Sequence, residues 1–118
     1  MKEGNFVLEK SYAFALRVVK LYGYLQKDKK EYQLSKQLVR CGTSIGANVE
    51  EAVGASSRRD FKAKLDIAHK ETRETIFWLR LLQDSNLLES KIATSLLYDC
   101  EELRRLLTAI LNTLKKTL

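Results

Sequence analysis

The chain is expected to be all-α, an antiparallel up-down-up-down four-helix bundle. Three observations point that way. It has no proline and only five glycines in 118 residues, and Ala, Leu, Lys, Glu, Arg and Ile, which suit helices, dominate it. Apolar residues recur at intervals of three and four along four separate stretches. The joints between those stretches are short, and short joints make successive helices antiparallel.

The first helix is expected to start at Asn5, a good N-cap residue, with a stripe of Leu8, Tyr12, Ala15, Val19 and Tyr22. The pattern fades in the polar stretch from Gln26 to Glu31, which reads as a loop. The second helix runs from about Gln33 to Ala55. Its stripe is Leu34, Leu38, Cys41, Ile45, Asn48 and Ala52. Gly42, Ser44, Gly46 and Ala47 are small, and small side chains let helices approach closely. Ser44 and Asn48 are polar groups beside that stripe and need partners.

Gly54 to Ser57 form the next joint. Ser57 and Asp60 resemble a capping box, opening a third helix that continues to about Asp84. Ser85 and Asn86 stop it, since Asn tolerates the left-handed conformation found after helix ends. The fourth helix begins near Glu89 or Ser90 and continues almost to Leu118. Ile92, Leu96, Leu103, Leu107, Ile110 and Leu114 line its buried face.

A chain of this length is expected to form one domain, residues 1–118. No run of 18 uncharged apolar residues is present, so no membrane span is expected. Met1 to Asn5 lack the apolar core of a signal peptide, so a cytoplasmic protein is expected. Cys41 and Cys100 sit among apolar neighbours and read as reduced core thiols. The net charge of +6 permits an anionic partner, although charge alone is weak grounds for one.

The third helix has three faces. Phe61, Leu65, Ala68, Thr72, Ile76 and Leu79 form a core stripe. Ala63, Ile67, Glu71, Glu74, Trp78 and Leu81 form a second, about a third of a turn away. That second stripe is either a subunit interface, with Ile67, Trp78 and Leu81 as its apolar residues, or a wide wedge contacting both neighbouring helices. Arg59, Lys62, Asp66, Lys70, Arg73, Phe77 and Arg80 form the third, with Arg58 and Lys64 extending it. It is either a phosphate-backbone contact made by Arg58, Arg59, Lys62, Lys70, Arg73 and Arg80 or an ordinary solvated face. Lys27, Lys29, Lys30 and Lys36 form a second basic cluster, diluted by Asp28 and Glu31.

No catalytic set is visible. His69 is the one histidine, and a carboxylate-bridged di-iron bundle needs two Glu-x-x-His elements. No metal or cofactor is expected, and no enzyme. His69 is placed at the surface near Arg73. Glu50 and Glu51 point about 100° apart on a helix and cannot pair as a dyad. Arg40, Ser44, Asn48 and Glu51 share a helical face, where they either form a polar network or are simply solvated.

The second helix also carries a resemblance. Arg40, then Thr43-Ser44-Ile45-Gly46-Ala47-Asn48-Val49 and Glu51-Ala52, resemble the signature of the four-helix bundle proteins encoded by intervening sequences within bacterial 23S rRNA genes. Ser11 to Ala15, Phe61 to Leu65 and Glu71 to Leu82 also match, so the resemblance covers nearly the whole chain. Gly46 departs from it, since many relatives have Pro there. The resemblance implies an antiparallel four-helix bundle and a homopentameric ring around a central channel. The family is also similar to the accessory protein of diversity-generating retroelements, which pairs with a reverse transcriptase; that implies RNA or DNA binding. The expected function is a non-enzymatic homo-oligomer that binds nucleic acid. The alternative is a protein-interaction scaffold or an adaptor for a partner enzyme such as a reverse transcriptase.

Overall fold

The computed structural model describes residues 2–117, and the side chains of residues 5–116. Readings that touch Met1 or Leu118 lie outside the described residues. Four helices follow in order: α1 (Lys2–Lys27), α2 (Leu34–Val53), α3 (Arg58–Asp84) and α4 (Ser90–Thr117). Each packs on the next, and α4 returns to α1, while α1 and α3, like α2 and α4, make no backbone approach. The pairs α1/α3 and α2/α4 therefore stand diagonally across an up-down-up-down bundle of 47 × 20 × 20 Å.

The joints are closed by local chemistry. Ser57 Oγ accepts from the Asp60 N–H at 3.0 Å, and the Asp60 carboxylate accepts from the Ser56 N–H at 3.3 Å. The end of α3 is a Schellman motif. Asn86 takes a φ of 63°, its N–H reaches the Gln83 carbonyl, and the Leu87 N–H reaches that of Leu82. The start of α2 is capped by a residue outside the helix. Glu31 accepts from the backbone N–H groups of Gln33, Leu34 and Ser35 at 2.7 to 2.9 Å. Helix α1 begins before Asn5, which lies inside it rather than capping it.

Most of the expected core is buried, including Leu38, Cys41, Ile45, Ala52, Leu65, Ala68, Leu79, Leu96, Leu103 and Leu107. Two stripes differ. In α1 the buried residues are Val7, Ser11, Phe14, Val18, Leu21 and Leu25, whereas Tyr12 and Val19 face outward. The helix carries two apolar stripes, and the one containing Ser11 goes inside. In α4, Ala93 is buried and Ile92 is exposed, because the buried positions 93, 96, 100, 103, 107, 110 and 114 keep one alternation of three and four that passes through Ala93.

The glycines of α2 explain the choice in α1. A Cβ on Gly42 would lie 2.9 Å from Val18 Cγ1, and one on Gly46 would lie 3.2 Å from the Ser11 carbonyl oxygen. The two backbones therefore approach where α2 has no side chains, and Val18 and Ser11 fill the space. Three buried hydroxyls are satisfied within their own helices: Ser11 donates to the Leu8 carbonyl, Thr72 to that of His69 and Thr75 to that of Glu71. A fourth, Ser35, donates to the Glu31 carbonyl of the preceding joint.

Gly42→Ala is expected to destabilise the bundle by about 1–3 kcal/mol through overpacking, more than the ~1 kcal/mol that alanine returns in helix propensity. In a Val18→Ala background the same change is expected to stabilise, since the obstructing methyls are gone. Thermal melts of the four chains decide; a Tm raised by Gly42→Ala in the parent chain would refute the close packing.

Glu31 has a pKa below the ordinary carboxylate value. Burial works against its ionisation, but the N–H groups of Leu34, Ser35 and Gln33 outweigh it. The stabilisation is complete above the unfolded value of about 4.3 and is lost as pH falls through the lower folded value. Glu31→Gln is expected to cost about 1 kcal/mol near neutrality and less in acid, measured by urea unfolding across pH. A cost independent of pH would contradict the cap.

Candidate subunit faces and a candidate nucleic-acid interface

The second face of α3 is partly open. Ile67 is 42% exposed and Leu81 38%. Trp78 is half-buried and packs on the core. Its Nε1–H donates to Glu74 at 3.0 Å, and the same carboxylate takes the Arg40 guanidinium from α2. Arg40 also lies 3.6 Å from Glu71, whose Oε2 is buried with no hydrogen bond. Trp78 is thus a wedge whose polar edge is committed inside the subunit. Phe77, at 56% exposure, stands edge-on to it with ring centroids 5.0 Å apart.

A comparable face lies on α1, where periodicity alone does not mark it as outward. Tyr12, Leu16 and Val19 are 65%, 51% and 50% exposed and recur at i, i+4 and i+7. Beside them, Leu8, Tyr12 and Ala15 meet Thr43, Gly46 and Ala47 of α2 across a groove of about 480 Å³, with Glu9 and Glu50 at its edge. Since α1 and α3 are diagonal, the two apolar faces look away from each other. Exposed apolar residues grouped on one face mark association surfaces more often than scattered ones do.

The basic residues of α3 are divided by their surroundings. Arg58, Arg59, Lys70, Arg73 and Arg80 are exposed and Lys62 is half-buried. Lys62 binds Asp66 at 2.8 Å and Lys64 binds Glu51 of α2 at 3.2 Å, so these two charges are partly offset. Arg59, Lys70, Arg73 and Arg80 form no salt bridge among the described residues. Helix α4 adds a cation that periodicity in α3 does not reveal. Arg104 lines a cleft with Arg73, Ile76 and Glu101, and Glu101 holds its Nε and Nη2 at 3.2 and 2.9 Å. Lys27, Lys29, Lys30 and Lys36 are exposed around the first joint, where Glu31 is occupied as a cap.

Comparison with known proteins adds the lineage. The family model described as 23S rRNA-intervening sequence protein matches residues 3–109. The chain belongs to that family. A solved structure of a protein of unknown function from the S23 ribosomal protein family of Bacteroides thetaiotaomicron is similar, with a TM-score of 0.91 and 44% identity. The match covers 93% of this chain and 98% of that one. No curated protein matches the chain. In this family member α2 runs unbroken through Gly46, the position that presses on Ser11.

The remaining polar groups serve the bundle. The Asn48 amide donates to the Ser44 carbonyl and hydroxyl at 2.9 and 3.0 Å. Arg40 and Glu51 instead reach across to α3, so the four residues do not form one network. Across the opposite seam, Lys10 binds Glu102 at 3.0 Å and Arg17 binds Asp99 at 2.6 Å. His69 is half-buried, and its Nε2 lies 2.9 Å from Thr108 Oγ1. Burial first, then Arg73 and Arg104, push its pKa down. Among the described residues no cluster of three or more His, Cys, Asp or Glu side chains is placed to hold a metal. No described helix is long and apolar enough to cross a membrane.

Cys41 and Cys100 are both free and buried. Burial pushes the Cys41 thiol up to about 11 and raises that of Cys100 further. The thiolate is the reactive form. In native, mildly alkaline buffer both are expected to resist iodoacetamide and to label fully in urea, followed by mass spectrometry. Rapid labelling of the folded protein would contradict this placement.

Proposed function

We propose that this chain is a single-domain, non-enzymatic bundle that assembles as a homopentameric ring and binds RNA or another nucleic acid through basic helix faces. The observation that carries the proposal is the pair of unlike apolar faces on diagonal helices, α1 with Tyr12, Leu16 and Val19, and α3 with Ile67, Phe77 and Leu81. Two different patches on opposite sides suit head-to-tail contact, which closes into a ring when the rotation allows. Trp78 backs the α3 face from within. The count of five and the central channel come from the family likeness.

Five copies at +6 each would concentrate a charge of +30 on one particle, a field that attracts polyanions and makes binding strongly salt-dependent. The family name describes where some of its genes lie, within 23S rRNA genes, and does not itself point to RNA binding; the resemblance to the accessory protein of diversity-generating retroelements is what favours a nucleic-acid partner. Shape rather than base sequence would set specificity, since no base-reading motif is present. The proposed setting is the cytoplasm. The second reading is a protein-interaction scaffold or an adaptor for a partner enzyme such as a reverse transcriptase, which would use Trp78 and the neighbouring exposed Ile67 and Leu81, or the outer helix faces.

Light scattering is expected to give about five times 13.6 kDa, and Leu16→Glu or Leu81→Glu is expected to return the mass toward the monomer with helicity retained. A 13.6 kDa parent particle would overturn the ring. Fluorescence anisotropy at low salt is expected to show RNA binding that Lys62→Glu and Arg73→Glu together weaken by roughly tenfold or more. Binding that is absent, or indifferent to those changes, would overturn the nucleic-acid reading, and recovery of a single defined protein without nucleic acid would replace it with the adaptor.

A further inference from the structure

We infer that the groove between α3 and α4 is the track for a nucleic-acid phosphate backbone, with Arg104 of α4 and Arg73 of α3 as its central contacts and His69 as a proton-linked third. The inference rests on the nucleic-acid reading above and narrows it to one seam of the bundle.

The argument starts from helical projection. At about 100° per residue, Lys62, His69, Arg73 and Arg80 fall within a sector of about 40°. His69 meets Thr108 of α4, and Arg73 shares a cleft of about 350 Å³ with Arg104, so this sector borders α4. Arg59 and Lys70 project instead with Phe77 and Leu81, on the face offered for self-association. Assembly through that face would enclose them and leave the α4-side cations open. Two arginines from different helices then stand on either side of one cleft, with Arg80 and Lys62 in line on α3. Arginines flanking a groove suit phosphate oxygens, which accept planar guanidinium donors. The cleft also holds a carboxylate, Glu101. It occupies Arg104 Nε and Nη2 and so braces the guanidinium, leaving Nη1 to donate outward.

The neutral tautomer of His69 is assigned from the hydrogen bonds around it. The Thr108 hydroxyl donates its proton to the Arg104 carbonyl at 2.8 Å, so toward His69 it acts as an acceptor. Neutral His69 therefore carries its proton on Nε2, and Nδ1 is the nitrogen that takes up a second one. The charged groups acting on the ring are Arg73 and Arg104, which oppose protonation, and Asp66, which favours it; Glu101 is engaged with Arg104. A phosphate between the two arginines offsets their positive field and so favours the imidazolium. Reciprocally, protonation of His69 strengthens phosphate binding.

His69 is the one histidine in the chain, so its ring protons are an unambiguous NMR reporter. The test titrates the native assembly with and without a short RNA hairpin at low salt. The expected result is a His69 pKa moved to higher pH by the RNA and affinity that tightens in weak acid. His69→Gln, which keeps an amide donor for Thr108, is expected to abolish that pH dependence. Arg104→Gln and Arg73→Gln are each expected to weaken binding by roughly tenfold and to reduce the salt slope by about one, with helicity unchanged. RNA that binds the parent while His69 does not respond and both arginine variants bind normally would overturn the groove and leave the broader reading standing. RNA that does not bind at all would overturn both.

Discussion

The rest of the structure depends on the contact between α1 and α2 at Gly42 and Gly46. Where α2 lacks side chains, Val18 and the Ser11 backbone press directly against it. That contact fixes the rotation of α1 about its own axis. Once Ser11 and Val18 face α2, Phe14 and Leu21 must face the core, and Tyr12, Leu16 and Val19 must face away. A rigid helix cannot turn one stripe inward without turning another out. The outward apolar face of α1 is therefore a consequence of two glycines on a different helix.

Electrostatics divides the bundle in a similar way. The α1–α4 seam is crossed by Lys10–Glu102 and Arg17–Asp99, and the α2–α3 seam by Arg40 with Glu71 and Glu74 and by Lys64 with Glu51. These pairs are partly exposed, and each adds little stability alone. Their larger effect is on which charges remain available. Where α3 meets α4, the carboxylate–guanidinium pair seen among the described residues lies within α4, and Arg73 lines the cleft beside it with no salt bridge among the described residues. The cationic character of the molecule is thus shaped by which acids are already engaged at a seam as much as by how many bases are present.

The fold was largely legible in the amino-acid pattern, and the failures are specific. Ser57 and Asn86 marked both ends of α3 because capping chemistry is local. The α2 stripe was legible in outline, with Leu38, Cys41, Ile45 and Ala52 buried, whereas Val49 is buried and Asn48 beside it is only half-buried. In α1 two apolar stripes compete, and the buried one contains Ser11, whose hydroxyl is satisfied by Leu8 of the same helix. Periodicity alone cannot rank two such stripes; the glycines of a neighbouring helix do. The candidate site was legible only within one helix. Lys62, Arg73 and Arg80 could be placed on a face of α3, but their neighbour Arg104 is thirty-one residues beyond Arg73 in the chain and joins them only through the packing of α4. In the sequence Glu31 looks like no more than a diluting charge, because a cap reaching forward from a loop leaves no periodic signal.

All three joints are held by hydrogen bonds of different kinds: the Glu31 carboxylate at the first, the Ser57 hydroxyl at the second and the left-handed Asn86 turn at the third. A rod closed in this way at every bend has little hinge freedom. It responds to load as a stiff beam, and a body of that kind meets its neighbours with its shape already decided. Little orientational disorder remains to be surrendered on docking, so the mechanical character of anything built from such beams would reside in the contacts between them rather than in the beams themselves.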